Sequence, residues 1–171
     1  MPVIKPNAKV PNLKVKTIEG NTFDITQNTP ENFTLIAVYR GLHCPICKSW
    51  LGELNKILPK LEKIGVDAIA LSTDTEERAH KTAENWSLSG LPLGYGLTID
   101  TAREWGLAIS KAINSDEPEE FSEPGIFLVR PDQTLYASSV QTMPFTRPSF
   151  SELAGALEFV LKKDYPARGD A

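Results

Sequence analysis

Short apolar runs alternate with stretches of helical period along most of this chain. Residues 33–39, FTLIAVY, form an unbroken apolar run of seven. Their β-branched and aromatic content and the short length predict a central strand buried on both faces. Residues 66–71 (VDAIAL) and 126–129 predict two further buried strands. Between the first two, Leu51, Leu54, Leu58 and Leu61 recur at spacings of three, four and three, which makes one apolar helix face over about 45–64. Pro59 inside that stretch predicts a kink or the end of a first segment, and Gly65 a stop. A polar helix ending near Trp86 follows, with Thr73 or Asp74 as its N-cap.

Weaker signals fill the rest. The stretch to about Asn12 reads as an extended arm, and residues 15–24 as a hairpin turning at Glu19-Gly20-Asn21. The sequence SGLPLGYG reads as a loop, 97–99 as a short strand, and Asp100 as the cap of a helical turn. Residues 114–123 read as an acidic surface loop. Pro131-Asp132-Gln133 is a turn that leads into a partner strand over 134–138. Ser149 caps a last helix carrying Leu153, Leu157, Val160 and Leu161, and a tail follows Tyr165. The order predicts an α/β fold: a mixed central sheet with helices on both faces and an N-terminal β-hairpin. The last two strands are close enough to pair antiparallel, while the central ones need helical crossovers.

Length and composition narrow the picture only slightly. With 171 residues, 41% hydrophobic and 23% charged, the chain is an ordinary globular one. Its net charge of −4 gives no support for nucleic-acid binding. No apolar run approaches the roughly 18 residues that span a bilayer. The opening MPVIKPNAKVPN has no apolar signal core, so the cytoplasm is the expected location. In that compartment two nearby cysteines serve redox chemistry or metal binding more often than a structural disulfide.

Cys44 and Cys47 stand between the first buried strand and the long helix. A helix N-terminus carries about half a positive charge and unpaired N–H groups, and both favour a thiolate. Lowering a cysteine pKa by two units needs about 2.7 kcal/mol of differential stabilisation. The helix end and a second thiol can supply this together. Pro45 suits the first helical position because it has no N–H to leave unpaired. The three-residue offset brings both sulfurs to one helix face, where a disulfide can form. Cys44, nearer the strand and expected to be the more exposed, is the candidate nucleophile, and Cys47 the resolving thiol. Arg40 and His43 flank the pair. Either can hold positive charge near sulfur, but a surface salt bridge for Arg40 and plain packing for His43 are equally open. His80, in the polar helix, reads as solvated.

The segment FTLIAVYRGLHCPICKSWLGEL resembles the active-site strand, turn and helix of the thioredoxin superfamily. More closely, it resembles the peroxiredoxin-like branch of the alkyl hydroperoxide reductase/thiol-specific antioxidant (redoxin) family. PNAKVPNLKVKTIEGNTFDI is similar to that family's N-terminal arm and hairpin, and SEPGIFLVRPDQTLY to its later strand and hairpin. The resemblance implies one thioredoxin-like domain over residues 1–171. It implies that Pro124 is the cis-proline facing the cysteines, and that the backbone of Glu123, with Pro45 and Pro124, lines a substrate groove. It implies a thiol, disulfide or hydroperoxide substrate and a thioredoxin- or glutathione-type reductant, with no cofactor, and it allows a homodimer.

The chain also departs from that family. Peroxiredoxins place Pro and Thr seven and three residues before the reactive cysteine, where Ala37 and Gly41 stand here. They place an arginine just before the later strand, where this chain has Pro124. Those groups orient peroxide and stabilise its developing charge, so the departures point toward disulfide exchange.

Three functions therefore compete. In dithiol exchange, Cys44 attacks a disulfide and Cys47 resolves the mixed species. In peroxidase chemistry, Cys44 becomes a sulfenic acid that Cys47 condenses with, and Arg40 replaces the missing arginine. In a non-catalytic metal-binding or interaction protein, a Cys₂His₂ site would need His43, His80 and both cysteines; no metal is assigned. Trp50, Trp86 and Trp105 read as packing residues, and residues 116–120 as a solvated loop. MPFTRP, over residues 143–148, belongs at the active-site rim or at a subunit contact, with nothing in the sequence to decide between them.

Overall fold

The structure is a computed structural model and describes residues 3–171. The chain opens with a hairpin of β1 (Lys14–Thr17) and β2 (Thr22–Asp24). Then come β3 (Phe33–Val38), α1 (Pro45–Lys63), β4 (Val66–Leu71) and α2 (Glu76–Asn85). They are followed by β5 (Leu93–Tyr95), α3 (Ile99–Glu104), β6 (Ile109–Lys111) and β7 (Glu120–Ser122). Strands β8 (Gly125–Val129) and β9 (Leu135–Val140) precede the last helix, α4 (Phe150–Lys163).

Seven strands form one sheet in the order β2-β1-β5-β4-β3-β8-β9. β3 pairs parallel with β4, and β4 with β5, through helical crossovers, while β8 and β9 join antiparallel. β6 and β7 form a separate two-stranded ribbon.

Every residue of β3 is buried, because each face of the sheet has its own core. Alternation along the strand sends Phe33, Leu35 and Ala37 to one face, against Leu51, Leu54 and Leu61 of α1 and Phe150, Ala154 and Leu157 of α4. Ile36 and Val38 point the other way, against Leu13, Trp105, Leu107 and Phe127. The mixed sheet covered on both faces is the α/β architecture the sequence predicts. No helix among the described residues is long and apolar enough to cross a membrane.

Several boundaries differ from expectation, each for a local reason. α1 runs unbroken through Pro59, which lies on its exposed side, where water can serve the carbonyl that loses its partner. The first two short-helix caps are Thr75 and Thr98, since the Asp74 side chain is turned inward. The short fifth strand falls at 93–95, inside the Gly- and Pro-rich stretch, and not at 97–99. Gly94 belongs there because side chains of the two flanking strands, β1 and β4, close in on it: a Cβ would stand 2.8 Å from Val15 Cγ2 and 3.1 Å from Leu71 Cβ. The acidic stretch contains β7, whose Phe121 is buried.

Candidate active site

The turn between β3 and α1 is built around one buried carboxylate. Asp74, only 1% exposed, accepts from the Leu42 N–H at 2.8 Å and from Arg78 Nε at 2.9 Å. Gly41 passes directly over it with φ +136°, and a Cβ there would meet the carboxylate at 2.9 to 3.1 Å. The Cys44 N–H then closes the turn onto Gly41 O at 3.1 Å. Gly41→Ala is therefore expected to cost about 1–3 kcal/mol, through backbone strain and a crowded buried anion. Urea denaturation checks this, and an unchanged midpoint would contradict it.

The turn delivers Cys44 as the N-cap of α1, with extended dihedrals of φ −103° and ψ 105°. Its sulfur takes the place of the usual Ser or Asp cap and accepts from the Cys47 N–H at 3.3 Å. Pro45 occupies the first helical position. One turn on, Cys47 donates its thiol to Cys44 Sγ across 2.7 Å, and both cysteines are free thiols.

Both sulfurs are covered. Cys44 is 2% exposed, against the expectation that it would be the open one of the pair. Arg147 reaches them from a strap, residues 141–148, that crosses from β9 to α4. Arg147 donates to Cys47 Sγ at 3.1 Å and to Cys44 Sγ at 3.5 Å. Its guanidinium lies 4.9 Å from the centre of the Trp50 ring and also donates to Pro144 O at 2.8 Å. The strap is tied to α1 at its far end, where Trp50 Nε1 donates to Pro148 O and Ser149 Oγ to Glu53 Oε1. It is held internally by Gln141 Nε2, which donates to Thr146 O. Arg147 is the residue the sequence did not single out. Its one signal was an arginine beside a proline in an apolar segment just ahead of a helix cap.

These contacts polarise the pair. The Cys44 thiol is held well below its ordinary range, first by the Cys47 S–H donor and then by Arg147 and the Cys47 N–H, which together outweigh burial. The Cys47 thiol is pushed up by burial and by the negative sulfur beside it. One proton shared in this way gives a nucleophilic thiolate and a neutral neighbour.

Arg40, Glu123 and His43 gather around the Phe121 ring. Arg40 pairs with Glu123, Nε to Oε2 at 3.0 Å, and lies over the Phe121 ring. Burial works against the charge of Arg40, but Glu123 and the Cys44 sulfur more than offset it. Glu123 is 5% exposed and also accepts from Ser110 Oγ at 2.6 Å. Its side chain is therefore engaged with Arg40, the partner that the sequence placed either on a surface carboxylate or at sulfur. His43 stands edge-on to Phe121, and burial followed by Arg40 lowers its pKa, so the ring is neutral at pH 7. His80 sits on the outside of α2 beside Glu76, and no group of three metal-ligating side chains occurs among the described residues.

Pro124 corrects an expectation. No described peptide bond is cis, so the bond between Glu123 and Pro124 is trans. On one side of that bond the Glu123 N–H donates to Ala108 O, continuing the β6–β7 ribbon, and on the other Pro124 O accepts from the Gln141 N–H, continuing the β8–β9 pair.

Comparison with known proteins bears on the family and the fold. The AhpC/TSA family model matches residues 6–138. A probable 1-Cys peroxiredoxin of Syntrichia ruralis is 28% identical over 114 residues, 65% of this chain and 50% of the relative. The chain thus spans about half the length of that curated relative. Among solved structures, peroxidoxin BcpB from Mycobacterium tuberculosis superposes with a TM-score of 0.74 at 13% identity, over 92% of this chain and 98% of that one. A Cys-to-Ser mutant of peroxiredoxin 6 from Arenicola marina gives 0.76 at 18% identity, over 95% of this chain and 76% of that one. A peroxiredoxin-like protein from Aquifex aeolicus gives 0.75 at 14%, over 94% and 90%. These structures share the fold, and with a family model that covers most of its length, the chain belongs to the AhpC/TSA family.

Proposed function

We propose that this chain is a two-cysteine thiol peroxidase, an antioxidant protein in which Cys44 is the nucleophile and Cys47 resolves it. The observation that carries the reading is the Cys44 sulfur at the N-cap of α1, with Cys47 Sγ 2.7 Å away and Arg147 spanning both. The Cys44 thiolate attacks the terminal oxygen of a hydroperoxide. The O–O bond breaks, sulfur is oxidised to the sulfenic acid, and the alkoxide leaves and takes a proton from water. Cys47 then attacks Cys44 sulfur, its thiol proton goes to the departing hydroxide, and a disulfide and water result. The two sulfurs already touch in the reduced form, so the second step needs little movement.

Burial of Cys44 to 2% favours a small substrate over a protein disulfide, which would have to displace the strap before touching sulfur. Arg147, together with Arg40, brings positive charge to the Cys44 sulfur, where the departing oxygen becomes negative. Those two guanidiniums offset the absence of Thr at Gly41 and of arginine at Pro124. A reducing cytoplasm suits a pair that must return to thiols.

Stopped-flow mixing with hydrogen peroxide tests the reading. Trp50, against Arg147, reports the change by fluorescence. The second-order rate constant should exceed that of a free thiolate by at least about 10²-fold. A rate equal to that of a free thiolate would overturn it.

A further inference from the structure

Glu123 is a buried carboxylate that the chemistry above leaves without a task, and every polar atom it has is engaged. Its N–H donates to Ala108 O at 2.8 Å, and its carbonyl accepts from Ser122 Oγ at 2.9 Å. In the carboxylate, Oε1 accepts from Ser110 Oγ at 2.6 Å and Oε2 from Arg40 Nε at 3.0 Å. Ser110 lies on β6 and Ser122 at the end of β7, and Pro124 follows with its φ fixed by the ring. The β6–β7 ribbon thus presents this one carboxylate with little freedom to turn.

Stability alone does not account for such a pair. Taking two charges out of water costs about as much as their attraction returns, and apolar side chains of similar volume often serve as well. What the pair does is fix Arg40. This residue stands two positions beyond β3, beside the turn that the Cys44 N–H closes onto Gly41 O at 3.1 Å. Its Nε is held by Glu123, and its guanidinium carbon lies over the Phe121 ring, 5.0 Å from the centre. With one edge and one face of the guanidinium held, its place is set. The Cys44 sulfur is the second negative group that supports its charge.

We propose that Glu123 is the positioning residue of this site: its carboxylate, locked by Ser110 and the ribbon, holds the Arg40 guanidinium at the Cys44 sulfur and tempers its charge there. The inference rests on Cys44 as the nucleophile of the reading above. The groups that act on Cys44 are the Cys47 thiol from α1, Arg147 from the strap, Arg40 from the end of β3, and the neutral His43 ring from the turn. Among the described residues, only Arg40 of these is ion-paired with a carboxylate. Glu123 therefore acts on sulfur in two ways of opposite sign. By keeping a cation near, it favours the thiolate; as an anion, it opposes it.

Two variants separate these effects, read by thiolate absorbance near 240 nm as pH is varied. Glu123→Gln keeps an oxygen for Arg40 Nε and offers an amide N–H to Ser110 Oγ, but carries no charge. The Cys44 midpoint should fall by about half a pH unit. Glu123→Ala releases the guanidinium to water, and the midpoint should rise by about one pH unit. In an Arg40→Met background, Glu123→Ala should give no rise, because no cation is left to place. If Glu123→Ala does not fold, Ser110→Ala takes its place: it loosens the carboxylate without removing it and should give a smaller rise. A carboxylate that merely braces the ribbon would lower the urea midpoint in both Glu123 variants and leave the Cys44 titration where it is. That result overturns the inference, and so does a shift of the same sign in both. Absorbance reads the sulfur whether or not peroxide is its substrate, so a failure here and a failure of the peroxidase reading are told apart.

Discussion

Cys47→Ser is expected to stop turnover while leaving the first oxidation intact. The serine hydroxyl can still donate to Cys44 Sγ, the role the Cys47 thiol fills across 2.7 Å, so the thiolate remains favoured. One equivalent of peroxide should then be consumed per chain, with Cys44 left as sulfenic acid. Resolution changes most. Well-oriented intramolecular reactions reach effective concentrations of about 10⁵–10⁸ M, whereas an external thiol is present at millimolar levels. Only part of that advantage is needed for steady-state turnover to fall by about 10²-fold or more. Dimedone labelling with mass spectrometry reads the trapped sulfenic acid in the variant and the disulfide in wild type. A variant that turned over at the wild-type rate would show that Cys47 is not the resolving thiol.

The sequence made the frame of this site readable because its signals are local. The seven-residue apolar run predicts β3, and the leucine spacing predicts α1. Their junction places both cysteines at a helix start, and Pro45 marks the first position. What escaped is long-range. Asp74 reads as a helix cap, yet a neighbour 32 positions earlier claims its carboxylate, and Thr75 caps instead. Arg147 lies 100 residues after Cys47, and nothing in its neighbours' periodicity points at sulfur. Glu123 and Arg40, 83 residues apart, were each singled out, but pairing between them is a matter of how β7 comes to lie beside the turn. The ribbon of β6 and β7 was missed because three-residue strands in acidic surroundings carry almost no pattern. Pro124 shows the opposite hazard. A motif supplied a conformation, and the extended hydrogen bonding on both sides of the residue decided otherwise.

Arg147→Met should raise the Cys44 pKa and slow its oxidation more than any other change outside the cysteines. Methionine keeps much of the length and can still lie on Trp50, so the strap retains its ties through Trp50, Glu53 and Gln141. What is lost is a cation that donates to both sulfurs. Removal of one preorganised donor from a developing oxyanion typically costs about 10²–10³ in rate. The pH profile separates this from simple loosening. With the wild-type Cys44 pKa held well below the usual thiol range, its oxidation rate should be flat around neutrality, since the thiolate is already fully formed. In the variant the Cys44 pKa moves up, though the Cys47 donor still holds it below the ordinary range, so the rate should begin to fall with acid at a higher pH than in wild type. Arg147→Lys keeps the charge without the two-pronged contact and should recover part of the rate and most of the lowered pKa. A strap that merely shields the sulfurs predicts the reverse for methionine: faster oxidation through an opened cover, and a flat pH profile. Thiolate absorbance near 240 nm, titrated in parallel, shows which of the two is at work.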